Sequence, residues 1–272
     1  MTLTGVGIGW RPEIAGFVAD LPGLRFCEVV AESLPLGGPV PASLAELRER
    51  DVAVVPHGVR LSLGGAEPVD PHRIQHLAGA AALVGAPLVS EHVAFVRAGG
   101  VEAGHLLPVP RSREALAALT ANVRRTQAEL DVPLALEPIA TLFDWPDDEF
   151  TEADFLTELL DATGALLLLD IANVYANARN RGEEPTALLD RLPLERVAYV
   201  HVAGGSEQGG LYHDTHTDPV PPAVLELVTA LCERRRPPAL MLERDGAYPP
   251  AADLARELDA IAVAAGYPVV TA

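Results

Sequence analysis

The 272-residue chain contains no lysine, and all 20 of its basic residues are arginine. Coding bias in a GC-rich genome accounts for that, and it excludes Schiff-base and phosphate-loop lysine chemistry. Only two cysteines are present, Cys27 and Cys232, in no CxxC or zinc-ribbon spacing, so neither a disulfide framework nor a thiolate metal site is suggested. Positive charge is scarce: the formal net charge is −18. A nucleic-acid partner is therefore not expected, because a phosphate backbone is held by excess Lys and Arg. No apolar run approaches the ~20 residues of a membrane span. The N-terminus lacks the basic and apolar regions of a signal peptide. A soluble cytoplasmic protein is the expectation.

What is present is a globular composition, 49% hydrophobic, with a regular alternation along it. Short apolar runs cover Gly5 to Trp10, Leu24 to Val30, Val52 to His57, Pro87 to His92, Pro133 to Glu137, Ala165 to Asp170, Val197 to His201 and Ala239 to Glu243. Near-continuous apolar runs are the mark of parallel strands buried on both faces. Between them lie helical patterns, among them Pro71 to Val84, Ser112 to Leu130, Thr151 to Ala162 and Pro221 to Arg235. Ser112 and Thr151 have the character of N-caps, and Gly85 and Gly164 of left-handed C-terminal stops. No linker interrupts the series. Eight βα units over residues 1–272 predict one α/β domain, a single (β/α)8 TIM barrel.

Six of the eight runs end in a residue that can bind a metal: His57, His92, Glu137, Asp170, His201 and Glu243. His, Asp and Glu make up about one residue in six of the chain, and arginine takes none of these ends. Each residue alone has a plain structural account as a turn histidine, a loop cap or the partner of an arginine. Convergence on one barrel mouth changes the balance, since clustered buried anions repel unless cations lie among them. Asn173 follows Asp170 by three. Asp214 and His216 share a D-x-H segment which, if extended, points both to one side. Four His, two Asp, two Glu and one Asn, without sulfur, suit iron, manganese or zinc, and nine ligands imply two or three ions. His72 and His76 are spaced i, i+4 on the outer layer, where a solvated helix face accounts for them. His105 follows a Gly-containing hairpin, 98–104, placed to fold over the mouth. His213 adjoins Asp214 but would point away. GVGIG lacks the spacing of a nucleotide loop.

The stretches HGVRLSLGG (57–65), SEHVAF (90–95), GHLLPVP (104–110), LALEP (134–138), LLLDIANVY (167–175), VHVAGG (200–205), HDTH (213–216) and MLERD (241–245) occur in this order. Together they resemble the multinuclear non-haem iron-dependent oxidative enzymes, a family of xylose-isomerase-like barrels that includes the methanobactin-biosynthesis oxidase. The resemblance puts His57, His92, Glu137, Asp170, Asn173, His201, Asp214, His216 and Glu243 on the family's metal-ligand positions. It implies two or three irons in mixed Fe(II)/Fe(III) valence, O2 as co-substrate, and a substrate thiolate bound to iron and oxidised at its carbon. The implied substrate is a ribosomally made precursor peptide, its target mainly cysteine, with its leader often presented by a separate partner protein. Four positions depart from the family pattern: Pro138 and Ala172 each replace an Asn, Phe95 a Trp, and Arg244 the Trp of a terminal E-W-D. Arg244 is thereby a candidate to bind a substrate carboxylate.

Two other readings fit the same residues. Zinc or manganese in this mouth would suit a hydrolase or phosphoesterase, since the trinuclear zinc endonucleases of the same superfamily carry a nearly parallel ligand order, or an isomerase. Asn173 stands where those endonucleases have His, and the net charge is wrong for DNA. A non-catalytic scaffold barrel would not be expected to keep all nine ligands.

Overall fold

Each apolar run folds as a strand because both of its faces find a covering layer. The computed structural model describes residues 3–272, and among these eight parallel strands close a barrel. They are β1 (Gly5–Gly9), β2 (Phe26–Val30), β3 (Ala53–Gly58), β4 (Val89–His92), β5 (Leu134–Glu137), β6 (Leu166–Asp170), β7 (Val197–Val202) and β8 (Ala239–Leu242). Each pairs with its sequence neighbours, and β8 closes on β1. This is the single (β/α)8 TIM barrel expected from the alternation. The helices are α1 (Ala15–Ala19), α2 (Ala42–Glu49), α3 (Pro71–Val84), α4 (Arg113–Gln127), α5 (Glu152–Thr163), α6 (Ile171–Arg181), α7 (Pro185–Leu189), α8 (Pro222–Arg234) and α9 (Ala251–Ala265).

Outward-facing strand residues such as Val54, Leu136, Leu167 and Val200 pack with helix residues such as Leu77, Leu119, Leu159 and Leu227 in the larger core. Inward-facing residues form a second, smaller core that includes Phe26, Val55, Leu88, Ala135, Leu168, Tyr199 and Met241. The period-2 pleat puts the next inward residue two positions on. Those residues are Glu28, His57, Ser90, Glu137, Asp170, His201 and Glu243. A layer of buried polar groups thus rests directly on an apolar plug, at the C-terminal end where such barrels hold their sites.

The predicted caps are present. Ser112 Oγ accepts from Ala115 N and Thr151 Oγ1 from Asp154 N, while Gly85 and Gly164 adopt left-handed conformations. Asp170 is a cap that sequence reading did not assign. Its Oδ1 accepts from Ala172 N and Asn173 N, starting α6 and placing Asn173 in the first turn. Two hairpins stand outside the barrel strands. One pairs Ala94–Ala98 with Val101–Pro108, longer than the predicted 98–104 turn, and the other pairs Ser206–Gln208 with Leu211–His213.

The segment after β3 is held by one buried side chain on α4. Asn122 Nδ2 donates to the carbonyls of Leu63, Gly65 and Glu67, and its Oδ1 accepts from Val69 N. Removing it leaves several backbone groups unpaired in a dry setting. Asn122→Ala should therefore cost about 3 kcal/mol of stability, measurable as a lower midpoint in thermal or urea unfolding.

Candidate metal centre

Each strand end delivers its side chain to one place. Oxygen or nitrogen atoms of His57, His92 and Glu137 lie within 4.8 Å of one another; so do those of Glu137, Asp170, His201 and Glu243, and those of Asp170, Asp214 and His216. A fourth group joins His216, Glu243 and Asp245. Glu137 belongs to the first two groups and Asp170 to the second and third, so the donors form a continuous series. Eight of the nine sequence-predicted candidates fall within these groups, and Asn173 stands in the first turn of α6 beside Asp170. His72 and His76 are not among them: they lie on α3, and His76 Nε2 is 2.9 Å from the Ala31 carbonyl. His105 lies on an exposed hairpin strand.

Glu137 is nearly central. Its Oε2 is 3.5 Å from His57 Nε2 and 3.4 Å from His92 Nε2, and its Oε1 is 3.3 Å from His201 Nδ1. Donors sharing an ion at bond lengths of ~2.1 Å stand roughly 3.0–3.4 Å apart, so these edges suit shared ions. His201 Nδ1 approaches Glu243 Oε2 to 2.7 Å, yet neither atom has a hydrogen-bond partner of acceptable geometry. The same holds for Glu137 Oε2, Asp170 Oδ2, Asn173 Oδ1 and Asp214 Oδ1. Orphaned buried polar atoms are rare and costly in a folded protein. Six of them converging on one mouth fit a cation cluster.

The opposite atoms of these side chains are already engaged. His57 Nδ1 meets Ser90 Oγ at 2.8 Å, His92 Nδ1 meets the Gly58 carbonyl at 3.2 Å, and His201 Nε2 meets Glu28 Oε2 at 2.8 Å. Asn173 Nδ2 donates to the Pro138 carbonyl, which turns its Oδ1 away from that bond. Such outer contacts fix which atom a ligand presents. Glu28, Ser90 and Asp245 were not singled out from sequence. Asp245 Oδ2 lies 3.1 Å from His216 Nδ1, and Asp245 Oδ1 accepts from Arg11 at 2.5 Å. For Glu28 the available signal was its inward parity within FCEVV; it was passed over because it is not at the strand end.

The D-x-H pair meets for a reason other than the one expected. Asp214 Oδ2 is 2.6 Å from His216 Nε2, but both residues follow the short Leu211–His213 strand, and His216 has a left-handed backbone, φ 54°. That conformation costs a non-glycine residue on the order of 1 kcal/mol or more. It is held by His216 N donating to the Gly204 carbonyl and by Asp245 N donating to the His216 carbonyl. Gly204 is required here, because a Cβ on it would lie 2.2 Å from the Asp218 carbonyl oxygen.

Arg244 is almost wholly buried, and both terminal nitrogens of its guanidinium are engaged. It donates to both oxygens of Glu257 on α9, at 2.6 and 2.8 Å, and to the Thr217 carbonyl. The expectation that it receives a substrate acid meets a physical obstacle, since such an acid would have to displace Glu257. The pair instead ties the Asp214–His216 segment to the outer helix layer.

Without ions the mouth balances its own charge. Burial opposes the charged form of His201, but Glu243, Glu28 and Glu137 outweigh burial and hold it well above the ordinary value. His216 is raised likewise by Glu243 and Asp214 against the same opposition. Burial, then the neighbouring Asp214 charge, push Asp170 well up. His92 rises to about 9, burial being overcome by Glu137 and Glu91, while Glu137 falls to about 2 because His201 and His92 outweigh its own burial.

A sequence profile of the family described as RiPP precursor modification enzyme MbnB/TglH/ChrH matches residues 5–265. RiPPs are ribosomally synthesised and post-translationally modified peptides. A UPF0276 protein of Streptomyces avermitilis is 53% identical over 264 residues, covering 94% of this chain and 54% of the relative, so the chain spans about half that protein's length. A UPF0276 protein of Caulobacter vibrioides is 37% identical, with 94% and 92% covered. Among solved structures, endonuclease IV of Thermus thermophilus superposes with TM-score 0.62 at 18% identity, covering 96% of this chain and 98% of that one. A xylose isomerase domain protein of Planctomyces limnophilus gives 0.60 at 15% identity, with 97% of each covered. At those identities the likeness is one of fold.

Two outcomes follow. A raised His92 stabilises the metal-free fold fully below its ordinary 6.5, a contribution lost as pH climbs through about 9. A depressed Glu137 stabilises it above its ordinary 4.5, a contribution lost as pH falls through about 2. Because a ligand imidazole must be neutral, divalent-metal binding should release protons and tighten as pH is raised toward about 9. Calorimetry in buffers of different ionisation enthalpy measures both. Separately, Arg244→Met strands Glu257 and releases the Asp214–His216 segment, and should lower the unfolding free energy by about 3 kcal/mol, read from urea unfolding.

Proposed function

Because the chain belongs to the MbnB/TglH/ChrH family of RiPP precursor modification enzymes, we propose that it is an iron-dependent oxidoreductase. It oxidises a residue, cysteine in this reading, of a ribosomally made precursor peptide, with O2 as the electron acceptor. Two or three irons in mixed Fe(II)/Fe(III) valence occupy the mouth. The observation that carries this is the set of six buried, unpartnered atoms on the ligand candidates, five of them on residues of the clustered donor groups. Nitrogen and oxygen donors without sulfur suit iron and leave a thiolate to come from the substrate.

The residues divide the work. His57, His92 and Glu137 hold one position, and Glu137, Asp170, His201 and Glu243 hold the next. Asp170, Asp214 and His216 hold the third, where Asn173 adds an amide oxygen. Glu137 and Asp170 each belong to two neighbouring donor groups and would fix the spacing of ions held there. The iron supplies a place for the thiolate and a route for its electrons to O2. The nearly complete burial of Glu137, Asp170 and His201 keeps water off the inner donors. Asp214 and His216 stand closer to solvent, and that side receives the peptide. A separate protein presents the leader, and the reaction is cytoplasmic; no helix among the described residues is long and apolar enough to cross a membrane.

The test is metal analysis and Mössbauer spectroscopy of iron-57-grown protein purified without oxygen. Two or three irons per chain in mixed valence are expected. His57→Ala or Asp214→Ala should lose iron and peptide oxidation together while circular dichroism keeps the barrel signature. Stoichiometric zinc without iron would replace this reading with the hydrolytic one, and peptide oxidation by an iron-free variant would end it.

A further inference from the structure

Beside the candidate ligands, three fully buried polar side chains join two of the histidines. Ser90 Oγ lies 2.8 Å from His57 Nδ1 and 2.7 Å from the Tyr199 hydroxyl. That hydroxyl lies 2.5 Å from Glu28 Oε2, and the same carboxylate oxygen is 2.8 Å from His201 Nε2. Ser90, Tyr199 and Glu28 are each no more than 1% exposed. They come from three different strands, β4, β7 and β2.

Counting protons gives the string one direction. As a carboxylate, Glu28 can only accept, so Tyr199 O–H and His201 Nε2–H both donate to it. Tyr199 has then spent its single hydrogen, and Ser90 O–H must donate to Tyr199. Ser90 has spent its hydrogen in turn, so it accepts from His57 Nδ1–H. With both rings neutral, as metal ligation requires, two nitrogens are left with lone pairs: His57 Nε2, 3.5 Å from Glu137 Oε2, and His201 Nδ1, 3.3 Å from Glu137 Oε1. Those are the atoms a metal ion would need. The two rings present opposite nitrogens to the mouth, Nε2 in one and Nδ1 in the other, and one carboxylate accounts for both choices. A buried carboxylate is costly to retain when an apolar residue would fill the same space, so its service to the histidines gives it a reason to be there.

We propose that Glu28, acting directly on His201 and through Tyr199 and Ser90 on His57, is a positioning residue that sets the tautomer and ring angle of both histidines. Two ligands from different donor groups are thereby fixed by one acceptor. The inference rests on the metal reading of the mouth. It extends that reading to residues that touch none of the metal-facing atoms.

The experiment uses the full chain loaded with zinc, which is diamagnetic, and labelled with nitrogen-15. Imidazole N–H correlations report the tautomer of each ring, and chelator competition reports zinc affinity. In the wild type, His57 should carry its hydrogen on Nδ1 and His201 on Nε2, both slow to exchange. Tyr199→Phe, which keeps the ring, should shift the His57 signal, spare that of His201 and weaken zinc about 10-fold. Glu28→Gln should move both signals and cost about 10- to 100-fold in affinity. A role confined to packing would not move the signals in this pattern. Should Glu28→Gln fail to fold, Tyr199→Phe and Ser90→Ala carry the test on His57. Zinc-loaded variants with unchanged tautomers and affinity, or a wild-type His57 protonated on Nε2, would overturn the proposal. A wild type that binds no divalent metal would overturn it by removing the metal reading itself, a result read before any variant is made.

Discussion

A carboxylate at the centre of a dry barrel mouth has to be met by positive charge, and the rest of this structure is organised around that demand. Glu137 is 2% exposed, with histidine nitrogens at 3.3–3.5 Å from three strands. Asp170, Glu243, Asp214 and Glu28 crowd the same volume. In water such groups repel weakly, but at low dielectric the repulsion is several-fold stronger. Protonated histidines relieve it in the ion-free protein, which is why His201 and His216 hold their protons so firmly. A cation at each shared position relieves it with fewer particles and satisfies the unpartnered atoms as well.

The barrel makes this concentration possible by separating what is buried from what is stable. Below the mouth, the Phe26, Val55, Leu168 and Met241 layer seals the interior; outside it, the larger core of strand and helix side chains drives folding. Both are built of side chains that are almost all apolar, with the polar layer set between strand ends above them. The two meet at Asp170, whose Oδ1 caps α6 while its Oδ2 is unpartnered and faces the same demand as Glu137. One side chain thus anchors a helix and contributes to the centre, and the helix it starts carries Asn173 into place.

The eight strands and their ends were legible in the sequence because parallel strands covered on both faces read as apolar runs, and a charged residue closing such a run stands out. Caps and glycine stops were legible for the same local reason. What was not legible depends on pairs far apart in sequence. Glu28 is only an acidic residue inside a strand until Tyr199 and His201, more than 170 residues on, are placed beside it. Arg244 looked available for a substrate because its partner Glu257 sits on the following helix. The convergence of Asp214 and His216 was expected from an extended segment, whereas it is a left-handed His216 held by Gly204 and Asp245 that brings it about. The hairpin expected over 98–104 extends over 94–108, and its full length was not legible because one of its strands is exposed and carries no period-2 apolar signal.

The graded burial of the donors bears on where a substrate would meet them. His57, Glu137 and His201 are sealed beneath the strand ends, with side chains at most 3% exposed, whereas His216 is 15% and Asp245 42% exposed. An ion at the deep end would have its surroundings fixed by the protein, down to the nitrogen each ring presents. An ion at the rim would be bordered by a segment that depends on a strained residue, the close-packed Gly204 and the Arg244–Glu257 tie rather than on a barrel strand. Exchange of an incoming ligand needs an open position and a segment able to adjust. Of the two ends the rim is the one that solvent reaches, so in the proposed reading the deep donors set the character of the centre and the rim donors set what can reach it.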